Sequence, residues 1–228
     1  MKSKKSNSVG TLYLKGYNLL QVFGWSYILY KSLTNDYSST LEANLWQNIK
    51  WPVIIFQHAA FLEIIHAAIG LVKSNVALTT FQVLSRIIVV SGVLLATPYS
   101  YAASSPGLPL AIFAWSVTEI IRYLFYFTNL NEAVPYFLTW LRYTLFIILY
   151  PIGITGELLC LYAATKYASS HPDAWSYRLP NSWNFIFSYY SILVLIMLSY
   201  IPLFPQLYLH MFGQRRKVLG SNISKKAQ

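Results

Sequence analysis

The stretch Leu141-Arg-Tyr-Thr-Leu-Phe-Ile-Ile-Leu-Tyr150-Pro-Ile-Gly-Ile-Thr-Gly-Glu157 decides how this chain is read. It belongs to a long apolar segment, about 136–168, yet it carries a guanidinium, a phenol and a carboxylate. An ionisable group at bilayer depth costs a few kcal/mol unless it is paired, hydrated or protonated, so it marks a functional site by default. The segment is too long for one upright span of about 20 residues. Pro151 removes an intrahelical hydrogen bond, and Gly153 and Gly156 weaken the helix beside it, which predicts a kink or a short unwound stretch near Tyr150. Irregular backbone at that depth is tolerated where it lines a wet cavity or is buried in protein.

Working outward, the whole chain has the same character. Apolar residues are 56% of 228, mean hydropathy is +0.45 and charged residues are 11%, a balance that excludes a soluble domain. Six apolar runs near 12–33, 49–72, 77–98, 109–130, 136–168 and 183–212 match the length of a membrane helix. Runs such as Ile192-Leu-Val-Leu-Ile-Met-Leu198 do not alternate, which argues against a β-barrel. The expected fold is therefore all-α: a polytopic membrane bundle of six transmembrane helices, the fifth kinked at Pro151 and the sixth bent at Pro202 and Pro205. The expected organisation is a basic N-terminus over 1–11, one membrane domain over 12–212 and a basic tail over 213–228.

Net charge is +10, but the basic residues gather at the ends of an apolar chain, so the positive-inside rule accounts for them and nucleic-acid binding is a poor reading. One face would hold Lys2, Lys4, Lys5, Lys15, Lys73, Arg215, Arg216, Lys217, Lys225 and Lys226, the other only Lys31, Lys50, Lys166 and Arg178. That bias puts both termini in the cytosol. The first span keeps Lys15, Asn18 and Gln21 and has no small-residue cleavage site, so it reads as a retained helix and not a signal peptide. Lys225 and Lys226 stand where a dilysine signal for the endoplasmic reticulum would stand. A solvated basic tail is the plainer alternative.

Inside the spans lie three acids and three bases: Glu63, Arg86, Glu119, Arg122, Arg142 and Glu157. Glu119 and Arg122 share a helix face, as do Glu63 and His66, and Gln82 lies one turn from Arg86. Polar glue between helices explains any one pair. Six charges are more than glue requires, because each pair costs desolvation that an apolar contact avoids. Tyr150 and Glu157 are two turns apart, about 10.5 Å of rise on nearly one side, so they can reach toward a small group held between them. Cys160-Leu-Tyr-Ala-Ala-Thr-Lys166 has the spacing of a phosphatase loop with Lys in place of Arg, on an apolar helix without an anion cradle. The single cysteine excludes an internal disulfide and a cysteine-built metal site, and His58 and His66 lack the zinc-helix spacing, so no metal is expected.

Taken together, Gly16-Tyr-Asn-Leu, Trp115-Ser-Val-Thr-Glu-Ile-Ile-Arg-Tyr123 and the stretch ending at Glu157 resemble the very-long-chain (3R)-3-hydroxyacyl-CoA dehydratases of fatty-acid elongation, a protein-tyrosine-phosphatase-like family over nearly the whole chain. The resemblance implies catalysis by Tyr150 and Glu157, with support from Glu63, Gln82, Arg86, Glu119, Arg122, Arg142 and Gly153. It further implies loss of water from a 3-hydroxyacyl-CoA without a cofactor, an acyl chain held among the helices, residence in the endoplasmic reticulum membrane, and partnership with the condensing enzyme and reductases of elongation. The resemblance does not divide the two roles; solution pKa values favour Glu157 as base and Tyr150 as acid. Arg122 or Arg142 is the expected cation for the thioester oxygen. Buried acid–base pairs also occur in proton-coupled transporters, but no inverted repeat is visible. A non-catalytic elongase scaffold is the remaining alternative.

Overall fold

A computed structural model describes residues 9–35 and 42–226, with side chains from residue 45 to 220 in the second segment. Eight α-helices follow in order: α1 Val9–Leu33, α2 Glu42–Ala59, α3 Phe61–Ala68, α4 Val76–Val89, α5 Gly107–Leu130, α6 Tyr136–Arg142, α7 Phe146–Ser170 and α8 Tyr189–Lys226. Among the described residues there is no strand, only an antiparallel bridge between Tyr177 and Phe187 in the loop before α8. Lys2, Lys4 and Lys5 lie outside the described residues, as do the side chains of Lys225 and Lys226.

Five helical segments are long and apolar enough to cross a membrane: Leu45–Ala68, Val76–Leu94, Gly107–Leu130, Tyr136–Ser170 and Tyr189–Gly220. They match the second to sixth expected spans to within a few residues. The expected count of six is not reached on these criteria, because α1 has the length, 25 residues, but dilutes its apolar face with Lys15, Asn18 and Gln21. Two of those polar residues are buried in the bundle and donate there to main-chain carbonyls. Asn18 Nδ2 donates to the Leu14 carbonyl at 2.8 Å, and Gln21 Nε2 donates to the Phe56 carbonyl at 3.2 Å.

Helix α5 is the axis of the molecule, packed against α1 on one side and α7 on the other. The α5–α7 contact is a seam of small residues. Gly107 and Gly156 lie against each other's backbone, and a Cβ built on Gly156 would also meet the Ala111 main chain. A Cβ on Gly153 would come 3.3 Å from Ala114 Cβ. Such seams let helix backbones approach closely where no hydrophobic effect drives association. The glycines beside Pro151 therefore serve packing.

The expected break falls elsewhere. The chain unwinds at Tyr143–Leu145, between α6 and α7, while the backbone through Tyr150 and Pro151 stays helical. The proline still leaves one carbonyl without its intrahelical donor, that of Ile147, and the Tyr208 hydroxyl of α8 donates to it at 2.9 Å. Helix α8 likewise continues through Pro202 and Pro205. A π-helical turn at Val90–Leu94 extends α4, and its irregular carbonyls are used too: Tyr189 Oη donates to the Gly92 carbonyl at 2.6 Å, and Trp175 Nε1 to that of Ala96 at 2.7 Å. These bonds pin the loop before α8 to the end of α4.

The seam yields a direct prediction. Gly156→Ala should lower the detergent-solubilised melting temperature by several degrees, because its Cβ meets backbone that cannot rotate away. Gly213→Ala in α8, with nothing within 4 Å of its Cβ, should leave the melting temperature unchanged or raise it slightly.

Candidate active site

The interior charges separate into an ion-pair network and a lone carboxylate. Arg122 on α5 donates from both terminal nitrogens to Glu63 of α3, Nη2 to Oε1 at 2.9 Å, while its Nε donates to Glu119 Oε2 at 2.9 Å. Arg86 on α4 pairs with the other Glu119 oxygen. Tyr123 Oη donates to Glu63 and receives a bond from Arg122 Nη2 at 2.9 Å. The one-turn spacing of Glu119 and Arg122 was legible, but the structure widens it to two carboxylates and two guanidinium groups spanning three helices. Tyr17 extends the network to α1, its hydroxyl donating to the Ala59 carbonyl at 3.1 Å and receiving Gln21 Nε2 at 3.1 Å.

Glu157 stands apart. It is buried on α7, and both of its oxygens accept from neutral donors: Oε1 from Trp115 Nε1 of α5 at 2.7 Å, and Oε2 from Tyr200 Oη of α8 at 2.6 Å. None of the ion pairs among the described residues includes it. Tyr150, about two turns away on α7, is packed nearly parallel to Phe204 and Tyr208, with ring centroids at 5.4 and 5.8 Å. Its partly exposed hydroxyl has no hydrogen-bond partner among the described residues. The Arg86 guanidinium sits 5.7 Å from the Trp115 ring centroid. Arg86 therefore borders the indole that holds Glu157.

The remaining expected residues fall into different settings. Arg122 has its nitrogens committed to Glu63, Glu119 and Tyr123. Arg142 is on α6, over the rings of Phe125 and Tyr126 at 4.5 and 4.7 Å, with Nη2 donating to Tyr126 Oη at 3.3 Å. Neither is held at Glu157. Gln82 is exposed on α4, and Gly153 belongs to the α5–α7 seam. His66 shares a hydrogen bond with Tyr13 at 3.0 Å, and His58 joins the Ile54 carbonyl to Ser91 Oγ. No metal-holding group of His, Cys, Asp or Glu occurs among the described residues. Cys160 is fully buried, which agrees with setting aside a phosphatase loop.

Spacing along the chain did not reveal Trp115 and Tyr200 as partners of Glu157. A signal for Tyr200 existed: Tyr200, Phe204, Tyr208 and Phe212 recur every fourth residue and so share one face of α8. That face is the one turned to Glu157, Tyr150 and Phe146.

Comparison with known proteins places the chain in a family. The family described as Protein tyrosine phosphatase-like protein, PTPLA, matches residues 57–221, and the chain belongs to it. A mouse protein named very-long-chain (3R)-3-hydroxyacyl-CoA dehydratase 2 is 45% identical over 96% of this chain and 85% of its own length. The Caenorhabditis elegans dehydratase hpo-8 is 45% identical over 94% of this chain and 97% of its own. The rice dehydratase PASTICCINO 2A is 37% identical over 94% of this chain and 96% of its own. No solved structure matches the chain.

The network predicts a stability pattern. Arg122→Met alone leaves the buried Glu119 and the partly buried Glu63 short of a partner and should cost about 3–5 kcal/mol. Adding Glu63→Gln removes the charge that Arg122 held bidentately while Arg86 retains Glu119. The double variant should recover most of the lost melting temperature, read by thermal unfolding in detergent.

Proposed function

We propose that this protein is a very-long-chain (3R)-3-hydroxyacyl-CoA dehydratase. The observation that carries the reading is the isolation of Glu157: a buried carboxylate held by Trp115 and Tyr200, outside the ion pairs that occupy Glu63 and Glu119. An acid locked to arginine must break that pair to take up a proton. Glu157 can accept one while keeping its neutral donors, and each oxygen has a lone pair to spare.

In the proposed reaction Glu157 removes a proton from C2, next to the thioester carbonyl. The electron pair forms the C2–C3 double bond, and the C3 hydroxyl departs with the proton of Tyr150. The products are the trans-2-enoyl-CoA and water, and a proton passes from Glu157 back to the Tyr150 phenolate to restore both groups. The transfer is redox-neutral and, in this reading, uses no metal or organic cofactor. Arg86 is the cation assigned to the developing enolate, since its guanidinium borders the indole that holds Glu157 and one of its terminal nitrogens is anchored on Glu119. Arg122, committed on all sides, holds the network instead. The acyl chain occupies the apolar bundle, and the protein works in the endoplasmic reticulum membrane beside the condensing enzyme and reductases, with its termini in the cytosol.

Purified protein in detergent, given a (3R)-3-hydroxyacyl-CoA and no partner, should form the enoyl product. Glu157→Gln and Tyr150→Phe should each lower turnover about 100-fold or more while the protein stays folded. Tyr200→Phe should lower kcat by about tenfold with KM little changed, because it loosens the base and leaves the substrate's binding surface in place. Near wild-type turnover in Glu157→Gln would remove it from the chemistry.

A further inference from the structure

The acids of the bundle interior are all accounted for: Glu63 and Glu119 by Arg86 and Arg122, Glu157 by neutral donors. That leaves two arginines on either side of the Tyr143–Leu145 turn with no acidic partner. Arg142 ends α6, and its only hydrogen bond is the one to Tyr126 Oη at 3.3 Å. Arg215 of α8 is half-buried against the turn, with Nε directed at Thr144 Oγ1 at 3.5 Å. No carboxylate among the described residues pairs with either. Each is a partly buried guanidinium fork with donors unspent that calls for an anion, and planar N–H forks fit phosphate oxygens in particular.

What lies below the turn narrows the anion. Phe146 packs against Phe212 at 5.1 Å and Tyr208 at 5.8 Å. Tyr208 and Phe204 stack on Tyr150, and Tyr200 follows, bonded to Glu157. Ring contacts therefore run from Phe212 and Phe146, just past the turn, through Tyr208 and Phe204 to Tyr150. Phe146 to Glu157 spans about 16 Å of helix rise, comparable to an extended pantetheine arm. We propose that Arg142 and Arg215 seat the phosphates of coenzyme A, and that the α7–α8 aromatic column carries the pantetheine arm to Tyr150 and Glu157. This assignment rests on the dehydratase reading and adds to it the residues that recognise the carrier.

The test compares two substrates with the same 3-hydroxyacyl chain, one on coenzyme A and one on pantetheine, which lacks the phosphates. Wild type should prefer the coenzyme A thioester in kcat/KM. Arg215→Gln and Arg142→Gln should each shrink that preference about tenfold, the value of one charge-assisted phosphate contact, and Arg215→Lys should restore part of it. Because the readout is a ratio on one protein sample, partial loss of folding does not mimic it. An unchanged preference in both glutamine variants would overturn the seat and leave these arginines to anionic lipid headgroups. Wild type inactive on both thioesters would instead remove the dehydratase reading, and the seat with it.

Discussion

A charge inside a bilayer must be neutralised where it stands, and the rest of this structure follows from how that requirement is met. Removing a carboxylate and a guanidinium from water costs several kcal/mol per ion, and a good pair with additional hydrogen bonds offsets it. Four charges on α3, α4 and α5 meet the requirement together, with Arg122 bidentate on Glu63 and Arg86 closing on Glu119. Tyr17, Gln21 and Tyr123 then satisfy the lone pairs and donors left over. The network fixes α4 and α1 against α5, and it leaves Glu157 without a cation.

Glu157 owes its position to a second constraint, the glycine seam between α5 and α7. Gly107 and Gly156 bring the two backbones into contact one residue before Glu157, which allows the indole of Trp115 to reach the carboxylate across the seam. On the opposite side α8 supplies Tyr200, and two residues of the same face, Tyr208 and Phe204, hold the Tyr150 ring flat. Tyr208 also donates to the carbonyl that Pro151 leaves free. Pro151, Tyr150 and Glu157 are thus all held by one aromatic face of α8.

Much of this was legible in the sequence and some was not. Apolar run length located the five spans that meet length and hydropathy, because the bilayer imposes that length on any helix. Spacing within a helix found the Glu119–Arg122 pair and the common face of Tyr150 and Glu157. It could not assign contacts between helices. The arginines offered for the thioester oxygen, Arg122 and Arg142, are respectively enclosed by two carboxylates and placed on α6, whereas Arg86 borders the indole that holds Glu157. The expected break at Pro151 moved to Tyr143–Leu145 for a related reason. A proline costs a helix only the bond it cannot donate, and Tyr208, fifty-seven positions later in the chain, replaces that bond. The glycines beside the proline looked like weak points because their partners, Ala114 for Gly153 and Gly107 for Gly156, lie on another helix.

The central claim is that the one interior carboxylate free of arginine is the group that moves the C2 proton, and the fate of that hydrogen tests it most directly. Purified protein would be supplied with a trans-2-enoyl-CoA in heavy water, so that the reverse hydration delivers a solvent deuteron to C2. The account predicts 3-hydroxyacyl-CoA with a single C2 deuterium from the wild type, and loss of that incorporation in Glu157→Gln with the network residues intact. Deuterium entering C2 at the wild-type rate in Glu157→Gln would contradict it.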